Sequence, residues 1–118
     1  VHYYAMQYVE GESLAGRLAR GDGPPDAAGV RAAATLGRRL AEALAYAHGQ
    51  GVLHRDVKPG NVLVAAGDGA ELIPYLADFG LAKLAGDDDL TGTGDFVGTL
   101  RYAAPEQLRG TFDARGDV

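Results

Sequence analysis

The stretch HRDVKPGNVLV, residues 54–64, sets His54, Arg55, Asp56, Lys58 and Asn61 within eight positions, with Pro59 and Gly60 interrupting regular structure before an apolar tail. Asp56 and Lys58 are two residues apart, which in an extended loop puts both on one side. A carboxylate able to accept a hydroxyl proton, beside an ammonium able to neutralise a phosphate, is what phosphoryl transfer to an alcohol needs. The transition state of that transfer is loose and highly charged, so positioning and charge cancellation do most of the work. No covalent nucleophile is required, and the sequence offers no convincing one. A second carboxylate, Asp78, ends the next apolar stretch. Antiparallel pairing of the two stretches would bring the Asn61 amide oxygen and the Asp78 carboxylate to one end. Hard oxygens of this kind suit Mg2+, which takes one or two protein oxygens together with phosphates and water.

The elements that must hold these groups can be read from pattern. Tyr3 to Val9 (YYAMQYV) is apolar and aromatic enough for a strand. Ser13 is a good N-cap for a short helix with Leu14 and Leu18 on one face, and Gly21 is its stop. The turn-rich GDGPPD, residues 21–26, precedes the longest element, a helix from about Asp26 to His48. Leu36, Leu40 and Leu44 form its core stripe, with Ala33, Ala43 and Ala47 beside them, and Gly49 and Gly51 end it. His48 is expected to cap the end of that helix. Residues 62–77 read as a hairpin turning at Gly67-Asp68-Gly69, with Pro74 marking an edge or a bulge. From 78 to 108 no period is sustained, so a long functional loop is expected.

Composition narrows the class. With 11 Lys+Arg against 16 Asp+Glu the net charge is -5, so no basic field exists to hold nucleic acid or an anionic membrane. The absence of cysteine removes disulfides, thiolate nucleophiles and the common structural zinc sites. No apolar run approaches the roughly 18 residues of a membrane span. Hydrophobic content of 47% with periodic stretches favours a packed domain over a linker, despite 18 glycines. The first residue, Val1, reads as a cut inside a longer parent chain.

HRDVKPGN, then DFG beginning seventeen residues after Asn61, then GTLRYAAPE, together resemble the catalytic loop, metal-binding motif and activation-segment end of the eukaryotic-like protein kinase family. Lys58, two residues after Asp56, is similar to the serine/threonine branch, and the surrounding sequence is similar to its bacterial members. The resemblance implies an α+β, protein-kinase-like fold, seen here as a partial domain over 1–118. Residues 1–12 would be the hinge region and 13–118 the N-terminal part of the C-terminal lobe, with the catalytic loop at 54–61 and the activation segment at 78–106. Asp56 would be the catalytic base, Lys58 would contact the transferring phosphate, Asn61 and Asp78 would hold Mg2+ (or Mn2+), and Thr99 would bond to the Asp56/Lys58 pair. ATP would lie against Met6, Gln7, Val9 and Leu63, with Lys58, Asn61 and Asp78 around its phosphates. His54 and Phe79 would stack, Gly80 and Glu106 complete their motifs, and Asp117 would be the buried anchor of the loop backbone. Gly116 stands where Ser or Thr is more usual.

Arg55 would pair with a phosphate on the activation segment, for which Thr91 and Thr93 are the candidates. The implied partners are ATP and protein substrates with Ser or Thr acceptors, with a homodimer as a route to autophosphorylation. The implied location is cytoplasmic, with membrane anchoring of the parent left open. These 118 residues contain no glycine-rich phosphate loop, no VAIK-like strand lysine and no helix glutamate to pair with it, so the isolated segment is expected to be inactive. A pseudokinase interaction module and a small-molecule phosphotransferase stay as alternatives. The intact Asp56, Lys58, Asn61 and Asp78 argue against the first, and the APE-type segment at Ala104–Glu106 argues against the second.

Overall fold

The computed structural model describes residues 6–21, 26–69, 71–79, 101–110 and 113–118. The elements are β1 (Glu12–Ser13), α1 (Leu14–Ala19), α2 (Ala27–Gly49), β2 (Val62–Ala66) and β3 (Leu72–Leu76), with short 3-10 turns at Pro59–Asn61, Gln107–Arg109 and Ala114–Asp117.

Each helix starts on a side-chain cap. Ser13 Oγ accepts from Gly16 N–H at 3.1 Å to open α1, and Asp26 Oδ1 accepts from Gly29 N–H at 2.8 Å to open α2. The end of α2 is a glycine-capped reversal. Gly51 sits at φ +75°, its N–H reaches the His48 carbonyl at 2.9 Å, and the Val52 N–H reaches the Ala47 carbonyl at 2.9 Å. That closure turns the chain out of the helix two residues before His54.

β2 is the central strand of a three-stranded antiparallel sheet ordered β1-β2-β3. Its pairing with β3 runs without a bulge from Val62↔Leu76 to Ala66↔Leu72. Pro74 is tolerated opposite Val64 because β3 lies at the edge. Along β2 the side chains alternate, so Val62 and Val64 are buried with Leu44 and Ala47 of α2, while Leu63 belongs to the other face. α2 packs against β3, and α1 against β2 and the Pro59–Asn61 turn. An Arg39–Glu71 ion pair ties α2 to the hairpin.

Three expectations are corrected. No strand forms at residues 6–9, where the chain is irregular and Met6 and Tyr8 are 71% and 85% exposed; residues 3–5 lie outside the described set. The short strand pairing occurs at Glu12–Ser13 instead, where the chain runs antiparallel beside β2. An apolar alternation forms a strand only where a neighbour supplies the ladder, and β2 supplies it there. The leucine stripe of α2 is graded: Leu44 is buried, Leu36 and Leu40 are half-buried, and Ala33 and Ala43 are exposed, because the hairpin is the surface that α2 meets. The ring of His48, expected at the helix end, bonds instead to Asp117.

Candidate active site

The loop between α2 and β2 is fixed at three levels. Asp117, buried with its side chain fully enclosed, accepts from the backbone N–H of His54 at 2.8 Å, from that of Arg55 at 2.6 Å, and from His48 Nε2 at 2.8 Å. Three donors satisfy a buried carboxylate that would otherwise carry a large desolvation cost. In this clamp Arg55 takes a left-handed backbone, φ +67°, which is unusual for a residue with a long side chain.

The imidazole of His54 is completely buried and forms the second level. Its Nε2 donates to the Ala77 carbonyl at 3.0 Å, so the ring hydrogen is on Nε2 and Nδ1 is left to accept from the Asp56 N–H at 3.3 Å. The ring also lies against Phe79, with centroids 4.5 Å apart and planes inclined by 44°. His54 thereby joins the loop to the end of β3. The Ala77 N–H adds a bond to the Asn61 carbonyl at 2.9 Å, extending the hairpin ladder by one step. Asp78 follows at φ +60°, a conformation that Asp tolerates better than most residues.

The third level is a cluster of polar side chains around Asp56. Asp56 and Lys58 form an ion pair at 2.9 Å, each side chain about one-quarter exposed. Asn61, held by the Pro59–Asn61 turn, is buried and donates from Nδ2 to both the Asp56 carbonyl and Asp56 Oδ2 at 2.8 Å. Lys58 and Asn61 thus share one oxygen of the Asp56 carboxylate. On the other side, Gln107 Nε2 donates to the Arg55 carbonyl at 2.9 Å. A small cleft lies there, lined by Arg55, Asp56, Val57, Tyr102, Ala103 and Gln107.

A family model for the protein kinase domain matches residues 1–117. The chain belongs to the protein kinase family. This kinase chain is 43% identical over 117 residues to the serine/threonine-protein kinase PknJ of Mycobacterium tuberculosis, a match covering 98% of this chain and 19% of PknJ. It is 46% identical over 110 residues to PkaA of Streptomyces coelicolor, covering 86% of this chain and 20% of PkaA. The crystal structure of the M. tuberculosis PknI kinase domain superposes with a TM-score of 0.63 at 33% identity, over 95% of this chain and 38% of that one. The chain therefore spans about a fifth of the length of these curated relatives.

Of the residues that the sequence reading assigns to the site, Asp56, Lys58, Asn61, Leu63, Asp78, His54, Phe79, Arg55, Glu106, Asp117, Met6, Gln7 and Val9 fall inside the described set. Asp56, Lys58 and Asn61 touch one another, and His54, Phe79 and Asp117 surround the same loop. Arg55 and Asp78 are exposed and Glu106 half-buried. Met6 and Gln7 are exposed in irregular chain, Val9 is half-buried, and Leu63 is half-buried on β2. Gly80, Thr91, Thr93 and Thr99 lie outside the described residues.

The donor set fits Mg2+. The Asn61 amide nitrogen is committed to Asp56, so the oxygen is its remaining ligand atom, and the exposed Asp78 carboxylate follows the residue paired with Asn61. Among the described residues no group of three His, Cys, Asp or Glu side chains converges. Sequence reasoning missed Gln107 and the His48–Asp117 bond. Both join segments more than fifty residues apart, and no local spacing signals either.

Proposed function

We propose that the chain is the catalytic-loop part of a serine/threonine protein kinase that transfers the γ-phosphate of ATP to protein hydroxyls. The observation that carries this reading is the Asp56–Lys58–Asn61 cluster, in which a carboxylate is oriented by an ammonium at 2.9 Å and an amide at 2.8 Å. The similarity to PknJ and PkaA, both serine/threonine-protein kinases, supports it.

In this reading Asp56 Oδ1 orients the acceptor hydroxyl and takes its proton, since Lys58 and Asn61 both engage Oδ2. Lys58 neutralises charge on the transferring phosphate. Asn61 Oδ1 and Asp78 hold Mg2+, which when bound neutralises charge on the phosphates; Mn2+ would fit the same oxygens. Thr99 bonds to the Asp56/Lys58 pair. Met6, Gln7, Val9 and Leu63 take the adenine side of ATP, while Phe79, Gly80, Glu106 and Asp117 keep the scaffold in place. Arg55 pairs with phosphate on Thr91 or Thr93, ordering the segment between Asp78 and Glu106. The kinase domain acts in the cytoplasm, and a transient homodimer lets one copy phosphorylate the other.

The test is to incubate the parent protein with ATP, Mg2+ and a mixed pool of acceptor peptides and to locate the phosphate by mass spectrometry. Label on Ser and Thr is expected, including Thr91 or Thr93 of the enzyme itself. Label confined to Tyr, or to small-molecule alcohols, would overturn the assignment. Threonines left unmodified in active enzyme would remove the regulatory part alone.

A further inference from the structure

We propose that Gln107 is a positioning residue for Asp56, acting through the peptide unit that joins Arg55 to Asp56. The inference rests on the kinase reading for its functional consequence, but the contact itself is geometric. Arg55 holds a left-handed backbone at φ +67°. Its N–H is taken by Asp117 at 2.6 Å, and its carbonyl is taken by Gln107 Nε2 at 2.9 Å. The N–H of the same Arg55–Asp56 peptide goes to His54 Nδ1 at 3.3 Å. Both polar ends of the peptide that carries Asp56 are therefore anchored, one by the buried histidine and one by Gln107.

The histidine bond is long, at the limit where an N–H···N contact weakens, so the carbonyl side matters for the tilt of this peptide. Gln107 opens the 3-10 turn Gln107–Arg109, directly after Glu106. Any shift of that turn is passed to the Asp56 peptide through one side chain. Half-buried Gln107 also lines the cleft beside Asp56, together with Tyr102 and Ala103. Tilting this peptide moves the Asp56 carboxylate relative to Lys58 and Asn61, and small misplacements of a catalytic group are costly.

Two substitutions in the parent kinase test the assignment. Gln107→Glu keeps size and shape but puts a carboxylate oxygen where the amide donated, against the Arg55 carbonyl. Gln107→Leu removes the donor without adding charge. Both are expected to lower kcat by about 3- to 10-fold, the worth of one ordinary hydrogen bond, with KM for ATP within twofold of the wild type. In parallel, amide hydrogen exchange at Arg55 and Asp56 should accelerate by a similar factor in both variants. Exchange that stays at the wild-type rate would overturn the positioning role whether or not the protein turns over. Unchanged kcat in Gln107→Glu, with active wild type, would do the same. A wild-type parent that transfers no phosphate, yet shows accelerated exchange in the variants, would overturn the kinase reading while leaving the contact intact.

Discussion

Asp117 does the most for the loop with the least exposure, since one buried carboxylate holds two consecutive backbone N–H groups and the His48 ring. Asp117→Ala would leave the His54 and Arg55 N–H groups without their partner. At about 1–3 kcal/mol for each stranded buried donor, urea unfolding of the parent protein should show a loss of about 2–5 kcal/mol. Asp117→Asn should lose less, because its amide oxygen can still accept while its NH2 group opposes the backbone donors. Arg55 is the other residue whose conformation asks for a reason. Its left-handed backbone is held from both sides, the N–H of the preceding peptide by Asp117 and the carbonyl of the following one by Gln107. That Asp56 and Lys58 lie on one side of their loop was legible from their spacing. Gln107 was not, because a glutamine beside a turn looks like any other surface glutamine until its partner fifty-two residues away is placed.

At the scale of elements, the pairing of β1 with β2 depends on Gly11. A Cβ there would lie 2.3 Å from the Val64 carbonyl oxygen and 2.9 Å from its carbon, and the obstacle is backbone that cannot swing aside. Gly11→Ala should therefore destabilise the parent by about 1–3 kcal/mol, as overpacking does, with a matching fall in Tm. Next to that pairing, the Arg20 guanidinium hydrogen-bonds the Glu12 carboxylate and holds its carboxyl below the usual range, with Arg17 adding a smaller charge effect. A depressed folded-state pKa means stabilisation that is present above the unfolded value of about 4.3 and lost as pH falls through the lower folded value. The stability difference between wild type and Glu12→Gln should thus shrink on acidification below that range, and also with added salt, since the pair is at the surface.

The helices were legible because their caps are local. Ser13, Asp26 and the Gly51 stop each act within a few residues of the helix end they set. The hairpin was legible for the same reason, its glycine turn and alternation both being local. The strand expected at residues 3–9 failed at its described positions because strand formation depends on a partner that local sequence does not name. β1 was missed because two residues carry no period. Burial along α2 followed what the helix meets, the hairpin, and so stops short of the full stripe that leucine spacing draws.

At the scale of the whole molecule, the chain is an anchored loop between a long helix and a hairpin, and it corresponds to 38% of the PknI kinase domain it resembles. Turnover is accordingly expected of the parent protein. In the proposed reaction Asp56, oriented by Lys58 and Asn61, acts on the acceptor hydroxyl. The most direct measurement is kcat for peptide phosphorylation by the parent protein with Asp56→Asn, alongside its affinity for ATP and its Tm. A loss on the order of 100- to 10,000-fold in kcat is expected, with ATP affinity and folding retained. A variant that keeps turnover within threefold of the wild type would contradict it.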